Sequence, residues 1–344
     1  MKVAILGTIV SDRILHVDAT ETRSLGGIYY TVIAAAHLFP SDWELIPICR
    51  VGADIYPAVL SAFAKFPNLC LDGIRWSKRE NTQVTLVYTS PVERVEYTTP
   101  PMPPLGPEDL EPALEANVCL VNFITGKDVR LCALQTLANS SRASVYLDIH
   151  SLTLGIGSDG SRYYRYPKYW KRYARTADLL QMNEREAACL ARMPNVANHV
   201  EALKKFLLGS VFSPDSRVRV VNITLGEKGS ILAQRQEDEV VALEHLPPLR
   251  VPVVDPTGCG DTFAVAFLAS FLRGTGPREA ARFANRVAGF KCTLRGSEEL
   301  AQLSRFREPE GGFVGEVPEP ISPLPDPTGE GTQSSVRTGS SWLF

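Results

Sequence analysis

The stretch Val253-Val-Asp-Pro-Thr-Gly-Cys-Gly-Asp-Thr-Phe-Ala-Val-Ala-Phe267 has the makings of a phosphate-handling turn. It reads as an apolar strand end, a Gly-x-Gly turn and, at once, a long helix of small residues. Glycines at 258 and 260 let consecutive backbone N–H groups converge without interference from Cβ atoms. The helix start adds the positive end of its dipole, and together they form an anion hole suited to a transferring phosphoryl group. Asp261 falls in the first turn of that helix. A carboxylate there either caps the helix or takes the proton of an attacking hydroxyl, and this stretch alone leaves both readings open.

Other residues of the same chemical kind recur where strands hand over to helices. Asp12 ends Leu6-Gly-Thr-Ile-Val-Ser-Asp and faces the mouth of a sheet, or caps a turn. Gly26 and Gly27 precede an Ala-rich helix and permit close approach of backbone to a ligand, or form an ordinary turn. Asn183-Glu-Arg-Glu186 opens a helix as a capping pattern, or turns a carboxylate toward bound phosphates. Thr224-Leu-Gly226-Glu-Lys-Gly229 follows a strand. Val51-Gly-Ala-Asp54 reads as structural. His150 follows a strand end and is a pocket candidate, though a lone histidine is more often structural.

In this order and at these junctions, the motifs resemble the ribokinase-like, or phosphofructokinase-B, family of carbohydrate and nucleoside kinases over roughly the first 300 residues. Asp-Pro-Thr-Gly-Cys-Gly-Asp-Thr-Phe is similar to the family's C-terminal signature, whose last Asp is the catalytic base. The resemblance implies ATP-dependent transfer to a hydroxyl of a small sugar-like acceptor. Asp261 would be the base, and the backbone of Gly258, Cys259 and Gly260 would stabilise charge on the γ-phosphate. It also implies that Asp12, Gly26, Gly27 and Thr31 hold the acceptor, and that Asn183, Glu186, Thr224, Gly226, Gly229 and Asn285 surround the nucleotide. Glu186 would organise Mg²⁺ through water, and a potassium-like ion would sit beside Asp255 and Thr257. A homodimer paired through the lid follows from the same likeness.

The chain departs from the family at three places. Cys259 stands where Ala is usual, a swap that a backbone role tolerates and that also makes a redox switch conceivable. Thr31, preceded by Tyr29 and Tyr30, stands where an Asn often grips a sugar hydroxyl. Ile149-His150-Ser151-Leu152 and a long insertion rich in Gly, Tyr and Arg replace a polar cluster with Arg that holds acidic or phosphorylated substrates in many members. The acceptor pocket is therefore atypical. The tyrosines either pack on a flatter acceptor such as a nucleoside or belong to the core. A nucleoside kinase, and a binding regulator that kept the fold and lost turnover, remain the alternatives to a carbohydrate kinase.

The elements that must position these residues alternate. Lys2–Leu6, Leu45–Cys49, Cys119–Phe123, Val145–Asp148, Asp178–Gln181 and Val218–Thr224 read as buried parallel strands. Tyr29–Phe39, Tyr56–Lys65, Asp109–Glu115, Val129–Asn139, Glu184–Ala191 and Val200–Leu207 read as helices between them. The pattern predicts an α/β fold, a doubly wound, mostly parallel sheet with helices on both faces. Gln83–Tyr88 and Val92–Thr98 break the rhythm as a β-hairpin, a candidate lid spanning about residues 82–99. Ser230–Leu246 supplies two edge strands, and Gly260–Arg273, Pro277–Cys292 and Glu298–Phe306 are helical. Residues 1–306 form the expected kinase domain. From about Arg307 the chain is rich in Pro, Gly and Ser and lacks the apolar surface to offset its ordering entropy, so a disordered tail is expected.

Bulk properties agree. Hydrophobic residues make up 44% and charged residues 22% of the 344, enough for a large core. A formal net charge of −2 gives no electrostatic case for nucleic acid or an anionic membrane as partner. The basic, aromatic stretch from Arg162 to Arg175 reads as a solvated helix face with buried aromatics, with a stacking platform as the alternative. Seven cysteines without a CxxC pair read as reduced thiols. The short apolar N-terminus does not read as a signal peptide, and no run approaches the ~20 apolar residues of a membrane helix. A cytoplasmic enzyme is the expectation.

Overall fold

A computed structural model describes residues 1–89, 94–140, 142–236 and 241–307. The expected tail, and the turn of the expected hairpin with Val92, lie outside the described residues. Nine strands form the main sheet, in the order Val241–Leu246, Ser230–Arg235, Val220–Thr224, Leu179–Asn183, Ser144–Asp148, Val118–Asn122, Lys2–Leu6, Glu44–Gly52, Ile74–Ser77. Pairing is parallel from Val220–Thr224 through to Ile74–Ser77. Only Ser230–Arg235 and Val241–Leu246 run as an antiparallel edge. The central strands are unbroken apolar runs because helices cover both faces. Val3 and Ile5 pack into one core with Ile28–Leu38 and Cys259–Phe271, while Ala4 and Leu6 pack into the other with Ala133, Leu134 and Leu137.

From Lys2–Leu6 the chain winds outward through Glu44–Gly52 to Ile74–Ser77. It then returns to Val118–Asn122 on the other side of the first strand and winds the opposite way. That reversal is a topological switch point, the place where a crevice opens at the carboxyl ends of parallel strands. Gly7, Thr8 and Asn122 sit at its floor.

The lid is larger than the expected hairpin. Glu21–Gly27, Ile9–Leu15, Gln83–Tyr88 and Arg94–Thr98 make a separate four-stranded sheet in that order. Ile9–Leu15 sets three polar residues between two apolar pairs and Glu21–Gly27 is polar and Gly-ended, so neither gives a clear period-two signal. The register sets Asp12 beside Val84, Val84 opposite Thr98, Leu86 opposite Glu96 and Tyr88 opposite Arg94. Paired residues share a face, so Asp12, Glu96 and Arg94 project from the same side of the lid.

Several local expectations are corrected. Asp109–Glu115 is not a helix but two 3₁₀ turns, Pro107–Asp109 and Glu111–Ala113, since Pro112 cannot donate to a helical ladder. Glu298–Phe306 is 3₁₀, and Val200–Phe206 continues as a π-turn over Leu207–Val211. The Arg162–Arg175 stretch is helical only at Trp170–Ala174. Its start, Arg162–Tyr164, pairs with Leu154–Ile156 as a small hairpin. Of its aromatics Trp170 is buried, while Tyr163, Tyr164, Tyr166 and Tyr169 are exposed. The presumed strand end before the anion hole is an exposed loop at Val253 and Val254, because Pro247, Pro248, Pro252 and Pro256 deny it a ladder. No helix among the described residues is long and apolar enough to cross a membrane.

Candidate active site

The helix Cys259–Phe271 begins at Gly258, which adopts φ +77°. A Cβ there would stand 2.7 Å from the Tyr30 ring, so both the backbone angle and the packing demand glycine. The Cys259 N–H closes a turn onto the Pro256 carbonyl at 3.2 Å. The N–H groups of Gly258 and Gly260 are then the open donors of this turn among the described residues. Gln181 fixes the turn from below, donating from Nε2 to the Gly260 carbonyl at 3.0 Å and to Asp148 Oδ2 at 2.9 Å.

The N-cap is Gly258, which has no side chain to cap with, and Asp261 stands at the third position of the helix. Its Oδ1 accepts from Thr31 Oγ1 and from Asn122 Nδ2, both at 2.7 Å. Thr31, on the helix Ile28–Leu38, thus holds the carboxylate. Asn122 escaped the sequence reading, though a polar residue closing an apolar strand beside the first strand was an available signal. Burial raises the Asp261 pKa above the usual carboxylate range, while the His150 charge and the Thr31 hydrogen bond work the other way.

On the lid side, Asp12 is 6% exposed, and its carboxylate lies so close to Gly26 that a Cβ on Gly26 would overlap Oδ2. Burial first, and then Glu96 and Asp261, push Asp12 up to about 7 against the pull of Arg94. Gly27 ends the strand as N-cap of the next helix. Tyr29 stacks on Phe63 with ring centroids 5.6 Å apart, and Tyr30 is buried beneath Lys291. Both tyrosines therefore serve the core.

On the other side, Asn183 and Thr224 end adjacent parallel strands at the same level. Asn183 and Glu186 form a reciprocal capping box, with Asn183 N donating to Glu186 Oε2 at 2.8 Å and Glu186 N to Asn183 Oδ1 at 2.9 Å. Gly226 faces open space, whereas Gly229 packs against Leu246 and Pro248. Asn285 is buried, with Nδ2 donating to Ser230 Oγ at 3.0 Å and to the Leu246 carbonyl at 3.2 Å, so its donors serve the loop that bounds this edge.

Between the two sides lies a group of buried acids. Burial raises Asp148 well above its ordinary range, and Glu186 and Asp261 add to it; burial likewise raises Glu186. His150, in a left-handed backbone conformation at φ 37°, sits among them with Nδ1 3.1 Å from the Phe123 carbonyl oxygen. Burial works against its protonation, but Asp148, Glu186, Asp261 and Glu96 outweigh it and raise its pKa. Among the described residues no three His, Cys, Asp or Glu side chains stand close enough together to hold a metal ion directly. Clustered acids with raised pKa values do fit a divalent cation held through water.

The residues at Asp255 fit a monovalent cation poorly. Asp255 Oδ1 accepts from Thr257 N and Oδ2 from Gly296 N, each at 2.9 Å. Its carbonyl accepts from Lys291 Nζ at 3.0 Å, and the ammonium stands 3.8 Å from Oδ2. Burial raises the Asp255 carboxyl, yet Lys291 and these N–H groups hold it below the ordinary range. The positive charge in this place belongs to the protein itself.

A doubly wound sheet, a β lid over its switch point and a carboxylate at a helix start make up a fold of the ribokinase type. The chain matches the pfkB family of carbohydrate kinases over residues 48–302 and belongs to that family. It is 28% identical to the deoxyribokinase of Salmonella typhi over 138 residues, 40% of this chain and 42% of that one. Aligned segments span from about a quarter to about two-fifths of the first curated relatives. Its fold is that of the ribokinase from Thermotoga maritima, with TM-score 0.66 at 18% identity, covering 89% of this chain and 98% of that one. The Burkholderia thailandensis nucleoside kinase in complex with inosine superimposes as well, with TM-score 0.65 at 19% identity over 88% and 94% of the two chains.

Proposed function

We propose that this chain moves the γ-phosphoryl group of ATP to a hydroxyl of a small carbohydrate. The observation that carries this reading is the setting of Asp261, whose Oδ1 is oriented by Thr31 and Asn122 at the head of a helix that opens on the switch point. Asp12, with the backbone of Gly26 and Gly27, holds acceptor hydroxyls under the lid. Asp261 takes the proton of the attacking hydroxyl as its oxygen bonds to the γ-phosphorus and the bond to the bridging oxygen of ADP breaks. The raised pKa of Asp261 makes it a stronger proton acceptor than an ordinary carboxylate. The open N–H groups of Gly258 and Gly260, with Cys259 holding the turn between them, stabilise the charge that develops on the transferring group.

Asn183, Thr224, Gly226 and Gly229 border the nucleotide, with Asn285 supporting that border from behind. Mg²⁺, when bound with the nucleotide, supplies positive charge to its phosphates, and Glu186 with Asp148 is placed to hold the waters around it. The lid excludes water and so suppresses hydrolysis of ATP. Residues 1–306 are the catalytic domain in this reading, in a cytoplasmic protein whose lids pair in a homodimer.

Likeness to both a ribokinase and a nucleoside kinase leaves the acceptor class to the pocket. The engagement of Tyr29 and Tyr30 in the core removes the flat platform that would favour a nucleoside. The deciding measurement is ADP release from ATP·Mg²⁺ with pentoses, hexoses, sugar acids, sugar phosphates and nucleosides, run beside Asp261→Asn. Stimulation by a carbohydrate, lost in the variant, supports the proposal. Stimulation by nucleosides alone moves the chain to that class, and tight binding without turnover makes it a regulator on a kinase fold.

A further inference from the structure

Arg162 opens the inserted strand that lies against the lid's edge, where Ser161 bridges to Tyr97 and Thr98 N donates to the Gly160 carbonyl at 2.9 Å. Its side chain is 2% exposed, and Nε and both terminal nitrogens lack a hydrogen-bond acceptor. The nearest paired carboxylate oxygen, Glu96 Oε1, is 3.9 Å away, close enough for attraction and too far for a hydrogen bond. Glu96 shares the lid face that carries Asp12 and Arg94. The Arg162–Glu96 pair therefore lies on the side of the lid from which Asp12 projects.

A buried guanidinium with its donors unmet is costly. Five N–H groups in a planar fork match the two oxygens of a carboxylate or the oxygens of a phosphate, and charge-assisted bonds of that kind are the strongest available to them. We propose that Arg162 receives an anionic group on the acceptor, a carboxylate or a phosphate ester, while the reacting hydroxyl of the same molecule faces Asp12 and Asp261. The inference rests on the kinase reading of the site and narrows its substrate to acidic sugars. Glu96 then serves as the counter-ion that steadies the guanidinium between turnovers. The insertion that follows Ile149–Leu152, where a polar cluster with Arg is usual, thereby supplies an arginine from a different element.

The test uses the full chain with matched acceptors that differ only in charge: aldoses, their aldonates and their terminal phosphates. ADP release and ligand-induced shifts in melting temperature are both recorded, for the unmodified chain, Arg162→Gln and Arg162→Lys. An anionic acceptor should exceed its neutral match by at least about 100-fold in kcat/KM. Arg162→Gln should lower kcat/KM for the anionic acceptor far more than for its neutral match and so erase that preference, and Arg162→Lys should restore part of it. The aldonate and phosphate arms tell the two sources of charge apart. Equal use of neutral and anionic acceptors, an equal loss for both in Arg162→Gln, or no binding of any anion overturns the inference and leaves Arg162 as a strut under the lid. Anion binding that depends on Arg162 without any ADP release would sink the kinase reading and keep the anion site.

Discussion

Lys291 Nζ donates to the Asp255 carbonyl at 3.0 Å from a side chain that is 0% exposed, and this ammonium ties the last turn of one helix to the loop that leads into the anion hole. Val254 and Asp255 N–H groups donate to the Cys292 carbonyl at 2.7 and 3.0 Å, completing the tie. Turnover should therefore be the same in potassium, sodium and tetramethylammonium salts at equal ionic strength. Lys291→Met leaves Asp255 without its counter-charge and should cost about 3 kcal/mol of stability. In that variant, added potassium should raise both melting temperature and rate. Strong activation of the unmodified chain by potassium would refute the assignment.

Asn122 should prove a positioning residue for Asp261. With Asp261→Asn the base is gone and kcat should fall by about 10² to 10⁴. Asn122→Ala keeps the base but frees its Oδ1 from one of two 2.7 Å bonds, so kcat should fall by about 10- to 100-fold with little change in acceptor KM. The pH–rate profile separates the roles: in Asn122→Ala the acidic limb should move, whereas a variant that only loosened the fold would lower the whole profile without moving it.

Asp12 makes stability depend on pH in a stated direction. Its pKa in the folded chain is about 7 against an unfolded value of 3.8, so the folded state holds the proton more tightly. The stabilisation is full below the unfolded value and is lost as pH rises through about 7. Over that window the native chain should lose up to about 4 kcal/mol relative to Asp12→Asn, which has no proton to give up. Melting curves of both proteins from pH 4 to 8 read the difference directly, and parallel curves would refute it.

Cys259 Sγ and Cys292 Sγ stand 2.8 Å apart. The hydrogen bond from Cys259 lowers the Cys292 pKa against the effect of burial, and the Lys291 charge assists, so Cys292 is the more acidic thiol of the pair. Glutathione disulfide should be attacked by Cys292, releasing one glutathione thiol; Cys259 then displaces the second, leaving one protein disulfide. Because Cys259 belongs to the anion turn, activity should fall and dithiothreitol should restore it. Cys292→Ser should remove the sensitivity. Mass spectrometry counts the two hydrogens lost, and activity that survives a verified disulfide would contradict the expectation.

The Gly-x-Gly-Asp turn, the apolar strand runs and the helix after the anion hole were legible because each is written in consecutive residues and needs only backbone geometry. The doubly wound sheet followed from the strand–helix rhythm, and the role proposed for Asp261 from its place in the family's signature. What joins Asp261 to Asn122, Asp12 to Gly26, Lys291 to Asp255 and Arg162 to Glu96 spans long stretches of chain, and nothing local marks one partner for the other. Glu21–Gly27 became a lid strand only because Ile9–Leu15 offered it an edge. Local order thus determined which residues could do chemistry. The winding of the sheet decided which of them meet, because a switch point gathers strand ends that lie far apart in sequence.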